Sequence, residues 1–158
     1  MQYDLMGLIF AAGGDMHYLP LRDRKGTGMS QETTLVLWAL LAFQAKHFLC
    51  DFVFQTEYQV RTKAIYGHPG GFLHSGLHVL GTIPALLILG APLRIAALIL
   101  IVEFAIHYHC DWTKAWVDRV FHWGPTNQRY WILFGADQFV HQLTYLGIVY
   151  VLIAGVAV

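Results

Sequence analysis

Eight histidine and aspartate residues fall into four pairs, each pair four residues apart: His47 with Asp51, His74 with His78, His107 with Asp111, and Asp137 with His141. A separation of four puts both members on one face of an α-helix, one turn apart. Imidazoles and carboxylates aimed at a common axis from several helices are how helical bundles build metal centres, often dinuclear ones. The donor set is nitrogen and oxygen without a placed thiolate, so zinc first, with iron or manganese as alternatives, suits it better than a soft metal or an iron–sulfur cluster. One or two divalent transition-metal ions are expected. Held by three protein donors with one position open, such an ion acidifies a bound water and directs it at an ester, amide or phosphate bond.

Other polar residues line up with these faces. Glu103 lies one turn before His107 and is a candidate ligand, ligand partner or proton acceptor. Lys114 and Gln55 sit near the mouth of the same faces, where they could hold a substrate headgroup, balance the carboxylates or snorkel to the interface. Lys46 points to a different face from its neighbour His47, to snorkel or to pair. The two cysteines, Cys50 and Cys110, each precede an aspartate and are read as buried thiols without a ligand role.

The elements that must position these residues read as membrane-spanning helices. The chain has 158 residues, 56% hydrophobic and 13% charged, with a mean hydropathy of +0.48, well above that of an ordinary soluble domain. Ten basic and ten acidic residues balance, so nothing favours a nucleic-acid partner. Four apolar segments are long enough to cross a bilayer: about residues 34–55, 71–89, 92–111 and 130–151. They predict an all-α, integral membrane four-helix bundle, multi-pass in the cell's inner (plasma) membrane, spanning residues 30–158. Turn chemistry divides them, as "GHPGG", "GAP" and "HWGPTNQ". Pro84 is expected to kink the second helix, and the third to run past Asp111 into the headgroup region, where Trp112, Trp116 and Trp123 form an aromatic belt. Residues 1–29 fit poorly with the rest and are read as an interfacial or disordered tail.

Depth supports a shared site. At ~1.5 Å of rise per residue, His47 lies ~18 Å along the first span and His107 ~20 Å along the third. Measured from the opposite face, His74, His78, Asp137 and His141 lie ~5 to ~16 Å along theirs, which places all eight in one slab of a ~30 Å core. The slab is nearer the first and third connections. Their Arg61, Lys63, Arg119 and Arg129 would put that side in the cytoplasm, although Arg22, Arg24 and Lys25 of the tail cancel the bias.

The strings "HFLCD" (47–51) and "HYHCD" (107–111) match at His, Cys and Asp, sixty residues apart, and His78 and His141 have a similar separation. Two parallel two-helix repeats are therefore expected, related by an axis along the membrane normal. A homodimer is compatible with so small a bundle.

The segments "AKHFLCDFVFQ", "HPGGFLHSGLHVL", "HCDWTKAW" and "ADQFVHQLTYL" resemble the small bacterial and phage membrane proteins grouped as domain of unknown function 3307. The resemblance runs from about residue 41 to 152 and implies a fold and a set of polar residues, without an activity. More loosely, "LHSGLH" and the His-x-x-x-Asp pairs are similar to predicted membrane-bound metal-dependent hydrolases. The expected function is metal-dependent hydrolysis of a lipid-like or membrane-embedded substrate. A di-iron oxidase or desaturase-like enzyme and a metal-ion or proton transporter are the alternatives.

Overall fold

A computed structural model describes residues 29–155, all of whose regular structure is helical. The predicted tail, apart from Met29, lies outside the described residues. The elements are α1 (Gln31–Phe48), continued by a π turn (Leu49–Val53), then α2 (Glu57–Thr62), α3 (Pro69–Ile88), α4 (Leu93–Phe121) and α5 (Gln128–Ile153). Three helices are long and apolar enough to cross a membrane: α1 with its π turn, α3 and α4. The fourth predicted span, now α5, has the length but not the apolarity. Asp137, Gln138, His141 and Gln142 crowd its middle.

Each boundary follows from local chemistry. Ser30 caps α1 by accepting from the Thr33 amide, 3.1 Å. Pro69 sits in the first turn of α3, where the missing N–H is no loss. Gly90 ends that helix at φ +65°, a conformation that side chains disfavour. Pro92 caps α4. His122 at φ 53° stops α4, and Asn127 restarts the chain by accepting from the Arg129 amide, 2.9 Å. Pro84 lies inside α3, which continues through it to Ile88.

Two elements were not expected. Phe54 N–H donates to the Leu49 carbonyl at 2.7 Å, a five-residue step that defines the π turn carrying Cys50 and Asp51. Within the first connection, Thr56 and Gln59 form a reciprocal capping box that starts α2. Gln59 is fully buried there.

Around the axis, α1 packs on α3, α3 on α4, α4 on α5, and α5 back on α1. That leaves α1 diagonal to α4, and α3 diagonal to α5. Ala39, Phe43, Ala85, Leu86, Ile99, Ile148 and Val149 fill one end of the interior, with the Phe43 ring stacked on Tyr145, centroids 4.9 Å apart. The other end is polar. Bulky side chains such as Trp38, Leu80, Leu87, Leu93, Ile101 and Phe139 face outward, as they would toward lipid.

Candidate metal centre

Above the apolar end, the four i,i+4 pairs turn inward together, and each touches a neighbour. Asp51 Oδ1 lies 3.1 Å from His78 Nε2 and 3.2 Å from His74 Nε2. Asp111 reaches two helices, its Oδ2 2.9 Å from His74 Nε2 and its Oδ1 3.2 Å from His141 Nε2. Asp137 Oδ1 stands 3.4 Å from His141 Nε2. The His107 ring fills the centre, with centroids 3.8 Å from His78 and 4.2 Å from His141. All five histidines of the cluster are buried, as are Asp111 and Asp137.

Three sets of donor atoms lie within 4.8 Å of one another: Asp51, His74, His78 and His107; His107, Asp111 and His141; and Cys110, Asp137 and His141. Two independent features fit a cation there. Among the described residues, and setting aside Lys46, which is paired with Glu103, the three carboxylates Asp51, Asp111 and Asp137 face one ammonium, that of Lys63, 3.5 Å from Asp111 Oδ2. The formal excess of two negative charges in a buried, low-dielectric setting calls for a compensating cation. His107 Nε2 is buried without a hydrogen-bond partner among the described residues, its nearest carboxylate oxygen, Asp111 Oδ2, standing 3.7 Å away, which is expensive for a buried polar atom.

His47 belongs to the cluster in space but to none of these donor sets. Its Nδ1 meets the Tyr145 hydroxyl at 2.9 Å, while Nε2 lies 2.6 Å from Gln138 Oε1 and 3.2 Å from Asp51 Oδ2. Both nitrogens are engaged, so the ring is placed to orient Asp51. Glu103 lies one turn away in a pocket of its own. Its Oε1 takes a 2.5 Å ion pair from Lys46 and a 2.8 Å hydrogen bond from Thr82. Lys46 is itself buried, and it also donates to the His78 carbonyl at 3.3 Å. Gly81 makes room for it, since a Cβ there would stand 3.0 Å from Lys46 Cβ. Lys114 pairs with Asp118 at 3.6 Å and lies over the Tyr130 and Phe134 rings. Gln55 comes within 3.5 Å of both His74 nitrogens. Lys114 is therefore on the rim and Gln55 at the edge of the cluster.

Sequence reasoning missed four participants. Tyr145 follows His141 by four residues and so extends the same stripe on α5. Gln138 is three before His141. Either could have been found by continuing the helical spacing. Lys63 is brought in only because α2 folds the first connection back over the cluster. Cys110 reads from the sequence as a plain buried thiol, yet its Sγ lies 3.4 Å from Asp137 Oδ1.

Residues 36–157 match the family described as protein of unknown function (DUF3307). The chain belongs to this family. The match takes in every residue of the cluster, from His47 to Tyr145, so the polar interior lies within the family's domain. Comparisons with curated proteins and with solved structures find no match.

Proposed function

We propose that this member of the DUF3307 family is a membrane-embedded, metal-dependent hydrolase. In this reading the four long helices form an integral bundle in the inner membrane, built from two parallel repeats. A bundle whose α1 and α4, and whose α3 and α5, are diagonal partners has the arrangement that a two-fold axis along the membrane normal requires. One observation carries the metal: the Nε2 of His107, buried without a hydrogen bond among other imidazoles and beside carboxylates that outnumber the nearby ammonium groups.

Zinc fits the donor set first, and two ions fit it better than one. Asp51, His74, His78 and His107 would hold one ion, and Asp111, whose oxygens lie toward His74 and His141, could serve as a donor on either side. When bound, such ions supply a Lewis acid and an acidified water. The chain's own residues do the rest. His47 fixes the rotamer of Asp51 through Nε2, and Tyr145 and Gln138 fix His47. Asp137 is placed to take a proton. Glu103, held by Lys46 and Thr82, fits a role in seating α4 against α1 and α3 better than that of a free base. Lys114 on the rim would meet an anionic headgroup. A site below the bilayer surface selects substrates that are themselves lipid-like.

Elemental analysis of detergent-purified protein tests this, with wild type beside Asp111→Ala and His141→Ala at matched helicity. One or two equivalents of zinc, iron or manganese in wild type, reduced in both variants, is the expected outcome. Folded wild type that takes up no metal even on reconstitution overturns the reading.

A further inference from the structure

The three donor sets are not equivalent in their surroundings. Asp51, His74, His78 and His107 come from the π turn, α3 and α4, with the three histidines buried and Asp51 partly buried. Cys110, Asp137 and His141 come from α4 and α5 alone, and Cys110 is only partly buried. Outside them runs a groove of about 430 Å³ whose floor holds Cys110 and Asp137. Its walls include Ile106, His109, Thr113, Ala136 and Val140, all exposed on the outer surface of the helices. The groove therefore opens sideways, between two helices.

We propose that Cys110, Asp137 and His141 form a second, thiolate-bearing metal site that faces this groove, distinct from the enclosed Asp51/His74/His78/His107 site and joined to it through Asp111. The assignment rests on the metal-dependent reading above and divides that centre into a closed half and an open half. Around an ion with bonds of 2.0–2.3 Å, tetrahedral donors stand roughly 3.3–3.8 Å apart. Cys110 Sγ to Asp137 Oδ1 and Asp137 Oδ1 to His141 Nε2 are each 3.4 Å. Two of the three donor pairs are thus near the spacing that an ion demands, and the third, Cys110 with His141, lies within 4.8 Å.

On binding, the S–H bond of Cys110 breaks as the sulfur–metal bond forms. The proton passes first to Asp137, on which the thiol is already directed, and then to solvent as the carboxylate itself coordinates. Three protein donors leave the fourth position open. That position faces the groove, so a lipid-like substrate would approach from the bilayer between α4 and α5 and meet this ion. The enclosed site, with four donors of which three are fully buried, would hold its ion in place.

The test uses full-length protein in detergent, stripped of metal and reloaded with cobalt(II). Wild type is expected to bind two cobalt ions per chain and to show a near-ultraviolet thiolate-to-cobalt charge-transfer band. Cys110→Ser should abolish the band and halve the cobalt content, whereas Cys50→Ser should change neither. Two ions without the band, a band that survives Cys110→Ser, or a single ion per chain would each overturn the second site and leave the metal-dependent reading standing. No cobalt in folded wild type would overturn both. Should Cys110→Ser fail to fold, labelling of wild-type Cys110 by a bilayer-soluble maleimide serves instead. Zinc should slow it roughly tenfold or more, because a coordinated thiolate is no longer a free nucleophile, and an unchanged rate overturns the site.

Discussion

His47–Asp51 and His107–Asp111 carry the same His, Cys and Asp at the same spacing, yet the structure uses them differently. The first string crosses a π turn and the second lies in continuous α-helix. The wider turn brings Asp51 to His74 and His78 on one neighbour, whereas Asp111 reaches α3 on one side and α5 on the other. His47 has both nitrogens occupied by Tyr145 and Gln138, while His107 Nε2 has no partner. Cys50 is buried, and Cys110 lies against a groove. One turn earlier the contrast is sharper. Phe43 stacks on Tyr145, where the corresponding Glu103 pairs with Lys46, and Lys46 itself stands where the other string has Ile106. The two departures from symmetry neutralise each other across the axis. A repeated motif thus fixes which donors are present, and its neighbours fix what each donor does.

The largest break in this comparison should come from its two aspartates. If the proposed two-ion centre holds, Asp111→Ala, which removes the residue between its two halves, is expected to release both metal ions, whereas Asp51→Ala releases only the enclosed one. Elemental analysis of the two variants side by side checks this, and equal losses would make the strings equivalent after all. Next comes the crossed pair. Glu103→Ala strands a buried ammonium and should destabilise the fold by about 3–5 kcal/mol, an effect that adding Lys46→Met should largely reverse. Phe43→Ala, its counterpart, should lose on the order of 2 kcal/mol, because in lipid the cavity remains but the transfer gain does not. Denaturant titration in mixed micelles measures both. The smallest effect belongs to His47. His47→Ala should weaken metal binding by about 10–100-fold, as loss of an orienting partner does, while His107→Ala should abolish binding at the enclosed site. Competition with a chelator separates the two.

Much of this architecture was legible because helical geometry is periodic. The i,i+4 pairs, the turn strings and the depth count put all eight side chains at one level, and the structure brings them into one cluster, with His47 outside every donor set. Less legible was anything set by the connection between the first two long helices. Residues 54–68 contain no long apolar run, so they read as loop, but the Thr56–Gln59 box folds six of them into α2 and carries Lys63 to Asp111. The π turn was equally hidden, because "LCDFV" has no composition that distinguishes π from α hydrogen bonding. At α5 the length is that of a span, but its middle is too polar to rank with the other three helices.

The sequence by itself determined that the chain is helical, which faces of its helices are polar, and which donor types are available, since each depends only on residues within a few turns of one another. Tertiary structure decided which donor meets which, that Glu103 answers Lys46, that His107 is left with a bare nitrogen, and that Cys110 faces a groove. Those outcomes depend on the azimuth and height of one helix against the next. No local spacing encodes them, because an i,i+4 pair has the same geometry whether its neighbours leave it enclosed, paired or open.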